Sequence, residues 1–366
     1  MTARHVRSTI LVTGGTGTLG GELVTRLAAG DADVAVLTRN AIRSAGDPSG
    51  TGIRYLVGDV RDGPSLGLPD ADRMALAERV TTIVHCAADT TFNRPLDEAR
   101  ATNVGGTKAV LDFARQCPQL DRVACFSTVY VAGKMEGCFA ETDVGGAQGF
   151  VNTYEQSKAE MESVVREAMS DLPIGLYRLS TIIGDSRTGE VHGLNAIHHA
   201  LRLLYQGLAP MVPGDETSLV DLIPIDFVAD AAHHLIMRGF EAGATYHLCS
   251  GATASATLGA LLDATLLAFE RYRPAWRKRS IARPAIVNLP TYELFVRSVE
   301  EAGNQVLLQA TRAVQAFAYQ LAYPKVFDAR LASAALAPVG IQPPPVMDYY
   351  DRVIRWCVET NWGAES

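Results

Sequence analysis

The feature that most limits what this chain can fold into is a glycine-spaced turn placed directly after an apolar run. Residues 8–14 read STILVTG, and Gly14, Gly17 and Gly20 follow as G-x-x-G-x-x-G. A continuous apolar run of this length fits a strand buried on both faces of a parallel sheet. Leu19, Leu23 and Leu27 recur four apart, which predicts a helix over 19–29 opening on the last glycine. Strand, glycine turn and helix in that order bring backbone amides and a helix N-terminus to one point, where a pyrophosphate is held. Dinucleotide binding is therefore the first expectation, with Thr18 and Leu19 part of the same cradle.

The rest of the first half repeats the pattern. VAVLT (34–38), IRYLV (53–57), TTIVHCA (81–87), RVACFST (122–128) and IGLYRLS (174–180) read as further strands. Helical spacing lies between them around 98–115 and 157–169. Alternation of this kind implies βαβ units, a parallel sheet and helices on both faces. From about Thr181 the pattern changes. A helix is expected over 194–205, a strand, turn and helix over 219–236, and a last helix near 347–359 after Pro343–Pro345. With 366 residues the chain exceeds one minimal domain. The expected division is a dinucleotide-binding unit over 1–180, rejoined by 219–250, with 181–218 and 251–366 forming a smaller, mostly helical substrate unit.

Charge and cysteine use exclude several classes. Lys and Arg number 33 against 40 Asp and Glu, a net charge of −7, the opposite balance to a nucleic-acid binder. The six cysteines form no C-x-x-C pair, and the adjacent histidines of His198-His199 and His233-His234 point to different helix faces, so no metal is expected. The N-terminal apolar run is broken at once by glycines, and no window of about 20 residues stays apolar without a charge. These points predict a cytoplasmic protein with reduced thiols and no transmembrane segment.

Two further sites carry chemistry. The second strand ends in Leu37-Thr38-Arg39-Asn40, with Arg43 beyond and no carboxylate. An acid there would bind a ribose 2′-hydroxyl, whereas an arginine suits a 2′-phosphate, so NADPH is the expected cofactor. Tyr154 and Lys158 form Y-x-x-x-K, four apart and so on one helix face. An ammonium near the phenol would favour phenolate and lower its pKa, suiting Tyr154 to general acid/base work. Thr128, 26 residues upstream at a strand end, would offer a hydroxyl to the reacting oxygen.

Together these stretches resemble the extended short-chain dehydrogenase/reductase family, and within it the fatty acyl-CoA reductase and thioester reductase branch. The similarity runs through TGGTGTLG (13–20), the 84–114 stretch, FSTVYVAG (126–133), NTYEQSKAEME (152–162), YRLSTIIGD (177–185) and LVDLIPIDFVADA (219–231). The resemblance implies an α/β fold with a Rossmann-type, doubly wound parallel sheet. It further implies that Gly14, Gly17 and Gly20 cradle the pyrophosphate and that Arg39 meets the 2′-phosphate. Asp59 and Val60 would line the adenine, and Ala87 and Ala88 the middle of the cofactor. Tyr154 would donate the proton, Lys158 would bind the nicotinamide ribose and tune Tyr154, and Thr128 would be the hydroxyl partner in preference to Ser127. Asn103 would support the fourth-strand region. The chain departs from the branch at Arg178-Leu179, where Arg-Pro is usual, which puts the loop to Ser186, expected to face the nicotinamide, in question.

The expected activity is NADPH-dependent reduction of an acyl thioester, on coenzyme A or a carrier protein, to an aldehyde and onward to an alcohol. The same residues would serve a ketone or aldehyde reductase or a hydroxysteroid-type dehydrogenase. A sugar-nucleotide epimerase and a non-catalytic dinucleotide sensor fit less well. Outside the motifs, Arg271–Arg283 (RYRPAWRKRSIAR) holds six basic residues and no acid. It reads either as a solvated loop or as a contact for coenzyme A phosphates or an acidic acyl carrier protein.

Overall fold

The fold is seen in a computed structural model that describes residues 8–39, 52–279 and 281–364. Arg43 lies outside them. Seven parallel strands form the central sheet: β1 (Thr9–Thr13), β2 (Asp33–Thr38), β3 (Ile53–Val57), β4 (Val80–His85), β5 (Arg122–Thr128), β6 (Ile174–Leu179) and β7 (Thr245–Leu248). Their spatial order is β7-β6-β5-β4-β1-β2-β3. The winding reverses between β1 and β4, and a crevice opens there at the carboxyl ends of the strands. All five β1 residues are buried, as their unbroken apolar run requires. By contrast β3 is an edge strand, with Arg54 and Val57 exposed.

Helices cover both faces. On one, α1 (Thr18–Ala28) and α7 (Ile225–Met237) pack Leu19, Leu23, Phe227 and Val228 against Ile10, Val12 and Val36. On the other, α4 (Gly106–Ala114) and α5 (Thr153–Ala168) press Val110, Phe113, Met161 and Val165 onto Leu11, Ile83 and Val123. The doubly wound sheet expected from the sequence is the observed one. Two elements escaped that reading. Helix α2 (Asp70–Ala77) carries Asp70 and Asp72 in its first turn and buries only Leu76 and Ala77, while four-residue β7 is too short to show a period. The single helix expected over 98–115 is α3 (Leu96–Arg100) and α4 joined by a π turn, Ala101–Gly105. One extra residue in that turn re-aims the side chains between the helices.

A third apolar cluster lies outside the sheet. Helices α6 (Ala196–Gln206), α8 (Leu258–Tyr272) and α11 (Val346–Glu359) contribute Leu201, Leu204, Leu261, Phe269, Tyr349 and Val353. Helices α9 (Leu289–Glu301) and α10 (Gln305–Leu321) pack Tyr292 and Val296 against Ala318. Among the described residues, no helix is long and apolar enough to cross a membrane.

Candidate active site

A cleft of about 1250 Å³ runs across the carboxyl ends of β1, β2, β4 and β5. The glycine turn forms its floor. Gly14 has φ +72, and a Cβ there would lie 2.6 Å from Ala87 N. A side chain would therefore be strained and would also collide with the chain leaving β4. At Gly20 a Cβ would stand 2.2 Å from Gly14 O, so the turn closes on α1 only without one. Gly17 is the N-cap of α1, which has no side-chain cap and no acid in its first turn. Its amides are thus left to an anion in the cleft, as the macrodipole favours. A dinucleotide fits this cradle. Thr18 donates to His192 O at 2.5 Å, which brings the 191–195 segment over the same helix end.

Thirteen of the site residues expected from the sequence line this one cleft: Gly14, Gly17, Thr18, Leu19, Gly20, Arg39, Asp59, Val60, Ala87, Ala88, Thr128, Tyr154 and Lys158. Arg39 lies exposed at the end beyond β2. Asp59 is already paired: its carboxylate accepts Arg61 Nη2 at 2.7 Å and the Arg61 amide at 2.9 Å. The Arg61 guanidinium, with Arg39 nearby, holds that carboxyl below the usual range. Arg61 lines the cleft as well and was missed in the sequence, where no strand end or motif marks it.

At the other end, α5 presents Tyr154 and Lys158 beside the end of β5. The Tyr154 ring stacks on Phe92 at 5.6 Å, and Thr153 Oγ1 ties α5 to that loop through Phe92 O (3.0 Å) and Arg94 O (2.7 Å). Burial pushes the Tyr154 phenol up to about 12, while the neighbouring Thr128 hydroxyl draws it down. This differs from the lowered phenol expected of a Tyr–Lys pair. Lys158 Nζ donates to Phe126 O at 2.7 Å, and burial depresses its ammonium to about 8 against the pull of Glu162. Thr128 Oγ1 donates to Leu179 O at 3.2 Å and accepts the Tyr130 amide at 3.2 Å. Ser127 is buried, and among the described residues its Oγ has no hydrogen-bond partner.

Several supporting residues have structural assignments. Asn103, on the π turn, accepts the Asp89 amide at 2.8 Å and donates to Asp89 O at 3.0 Å and Ser157 Oγ at 2.9 Å. It thereby links the exit of β4 to α5. His85 is a core residue between Thr13 Oγ1 (2.7 Å) and Thr107 Oγ1 (2.9 Å), and burial pushes its pKa down to about 3. Arg178 is fully buried, bonded to Glu162 at 2.7 Å and stacked over Phe139 at 4.8 Å. Ser186 does not line the cleft. Its amide and hydroxyl are taken by Asp226 in the first turn of α7, at 2.9 and 2.6 Å, whereas Gly184 does line it.

The cleft lining also includes the apolar side chains of Ile182, Leu194, Ile197, Ala313 and Phe317, beside Asn195, His198 and His199. Ala313 and Phe317 come from α10, whose part in the site left no local mark in the sequence. The basic segment is less available than its composition suggests. Arg271 pairs with Asp351, Arg283 pairs with Glu216 and Asp263, and Arg273 donates to Val358 O. Trp276 is buried, its Nε1 donating to Tyr205 O at 2.7 Å. Acids distant in sequence thus pair with two bases of a run that carries no acid itself. Lys278 remains exposed on the Pro274–Arg279 turn.

Comparison with known proteins agrees with this geometry. The family model described as Male sterility protein, an NAD-binding domain, matches residues 49–232. The fatty acyl-CoA reductase wat of Drosophila melanogaster is 24% identical over 196 residues, covering 46% of this chain and 38% of that protein. A linear gramicidin synthase of Brevibacillus parabrevis is 28% identical over 265 residues, 65% of this chain but 5% of that protein. The chain thus spans well under two thirds of these relatives. Among solved structures, the terminal R domain from the myxalamid PKS-NRPS biosynthetic pathway superposes with a TM-score of 0.78 and 25% identity, covering 98% of this chain and 92% of that one. The reductase domain of a nonribosomal peptide synthetase from Mycobacterium tuberculosis has the same fold, with a TM-score of 0.70 and 20% identity, over 98% of this chain and 93% of that one.

Proposed function

The chain belongs to the male sterility protein family of extended short-chain dehydrogenase/reductases, which are NAD(P)-dependent oxidoreductases, and from that premise we propose that it reduces acyl thioesters with NADPH. One observation carries the reading. A single cleft brings the glycine cradle, the Thr128–Tyr154–Lys158 set and the apolar side chains of Ala313 and Phe317 together. Gly14, Gly17 and Gly20 would hold the pyrophosphate, and Lys158 the nicotinamide ribose. Arg39 would meet the 2′-phosphate with its fork of donors, and Arg61 lines the same cleft. When bound, the reduced nicotinamide supplies hydride to the thioester carbonyl carbon.

The chain's own residues then manage the oxygen. The Tyr154 phenol would donate to the oxyanion as it forms, and the Thr128 hydroxyl would join it by giving up its bond to Leu179 O. A phenol held near 12 stays protonated at neutral pH, which suits a proton donor rather than a base in this direction. Lys158, four residues along the same helix, would offset negative charge as the proton leaves. Collapse of the resulting hemithioacetal breaks the carbon–sulfur bond and releases a thiol and an aldehyde, and a second round yields the alcohol. The thioester donor would be coenzyme A or an acyl carrier protein. For the carrier, the Pro274–Arg279 turn, which bears the exposed Lys278, would be one contact.

The test is NADPH oxidation by the purified protein across a panel of acyl-CoA and acyl-carrier thioesters, ketones and aldehydes. Thioester-dependent oxidation that disappears in Tyr154→Phe, with NADPH binding retained, is the expected result. Turnover of ketones or aldehydes alone would sink the thioester reading. Full activity of Tyr154→Phe would refute the role of the phenol.

A further inference from the structure

Next to the proton donor stands a buried carboxylate that the proposed chemistry does not use. Glu155 is 1% exposed. Its Oε2 accepts the Val151 amide at 2.9 Å, and its Oε1 accepts Asn152 Nδ2 at 3.3 Å. Those bonds are what a glutamate folded back over a helix start ordinarily makes, and Asn152 completes the cap by accepting the Glu155 amide at 2.9 Å. A cap needs no more. Yet a third donor arrives from 165 residues away, Gln320 Nε2, 2.8 Å from Oε1.

Gln320 sits near the end of α10, and its position on that helix is informative. Ala313, Phe317 and Gln320 are spaced four and three apart, so they share one face. Ala313 and Phe317 line the cleft, and Gln320, buried behind them, grips the first turn of α5. One helix face thus forms the wall and also holds the element that carries Tyr154.

We propose that Gln320 is a positioning residue, which through its bond to Glu155 fixes the first turn of α5 and so seats the Tyr154 phenol against the substrate. The proposal rests on Tyr154 acting as proton donor, whichever carbonyl it serves. Besides Gln320, the charged and titratable groups facing Glu155 are Lys325, Lys134 and the Tyr130 and Tyr154 phenols. Lys325 Nζ itself donates to Gly133 O at 2.8 Å. Burial pushes the Glu155 carboxyl up, and the Gln320 amide is the foremost group opposing that push. Without the amide, Glu155 takes a proton more readily and loses its hold on the helix start.

The experiment compares full-length wild type, Gln320→Leu, Glu155→Gln, and the exchange Glu155→Gln with Gln320→Glu. The exchange restores an amide–carboxylate pair with its members reversed. Readouts are NADPH affinity by fluorescence, kcat and KM for the best substrate of the panel, and kcat against pH. Gln320→Leu should lower kcat about tenfold or more, since small misplacements at a reacting centre are costly. NADPH affinity and KM should stay within about twofold, because the lost bond contacts neither ligand. The acid limb of kcat should move to higher pH, and the exchange should recover most of kcat. Should Gln320→Leu not fold, Glu155→Gln decides: it keeps an acceptor for the Val151 amide, and the acid limb should vanish. A kcat for Gln320→Leu within twofold of wild type, or an acid limb unmoved in either single variant, overturns the proposal. If wild type turns over ketones but no thioester, the substrate reading fails while these comparisons still decide the role of Gln320.

Discussion

Alanine at Gly20 and at Gly17 separates two jobs of the glycine turn, closing the fold and receiving the cofactor. In Gly20→Ala the new Cβ would lie 2.2 Å from Gly14 O, 2.8 Å from Gly14 C and 2.9 Å from Gly15 Cα. Non-bonded carbon contacts settle at about 3.5–4.0 Å, so the turn and α1 must part by roughly 1 Å. The clashing atoms are all backbone and cannot rotate away. Overpacking of this kind costs about 1–3 kcal/mol, and the upper end applies here. At about 2–4 °C per kcal/mol the melting temperature falls by several degrees. Gly17→Ala is different. Its φ of −83 suits alanine, and its Cβ would meet only Gly14 O, at 3.4 Å. Stability should stay within about 0.5 kcal/mol of wild type.

The Gly17 methyl would stand instead where the turn opens toward the pyrophosphate. Hydrogen bonds to charged groups contribute about 1.5–3 kcal/mol, so losing one weakens NADPH by about 10–150-fold. Thermal unfolding with and without NADPH reads both effects. At 100 times the wild-type Kd, the cofactor stabilises wild type by about 2.7 kcal/mol. A variant binding a hundredfold more weakly gains only about 0.4 kcal/mol at the same concentration. Gly17→Ala showing the full NADPH-induced shift would refute the assignment of the cradle. Gly20→Ala melting with wild type would refute the packing argument.

Three other perturbations test different parts of the site. Lys158 has a folded-state pKa of about 8, below its ordinary 10.5, so the unfolded chain binds the extra proton between those values. Stability should therefore rise with pH through that window, and denaturant titrations of Lys158→Met should show a shallower rise than wild type. Glu162→Ala strands the fully buried Arg178 guanidinium and should cost about 3–5 kcal/mol in urea unfolding, whereas Arg178→Met with Glu162→Leu should cost less than the single change. Arg39→Ala should weaken NADPH about tenfold, the equivalent of 1.4 kcal/mol, and leave NADH unchanged; equal losses for both cofactors would remove Arg39 from the 2′-phosphate.

What was legible in the sequence was local. Buried strands announce themselves as apolar runs because both their faces meet helices, and the turn after β1 shows its glycines because a backbone so close to Ala87 tolerates nothing else. That Tyr154 and Lys158 share a helix face follows from their spacing alone. Edge strand β3 was read at its observed bounds, 53–57, whereas β7 was not, since four residues show no period. In the Arg271–Arg283 segment the bases are local, but the acids that pair with Arg271 and Arg283, namely Asp351, Glu216 and Asp263, lie elsewhere in the chain.

By itself, then, the sequence determined the sheet, the cradle and the identity of the chemical groups, because each depends on neighbours a few residues away. Tertiary structure decided their state. Burial, which no local pattern reports, places the Tyr154 phenol near 12 and the Lys158 ammonium near 8. Asp59 is paired because Arg61 folds back onto it, and Ser186 turns from the cleft because Asp226 captures it. Gln320 reaches Glu155 only when α10 is laid across the start of α5. Periodicity records what one element needs of its surroundings, whereas the partner that meets the need, and the dielectric around it, exist only once distant segments have packed.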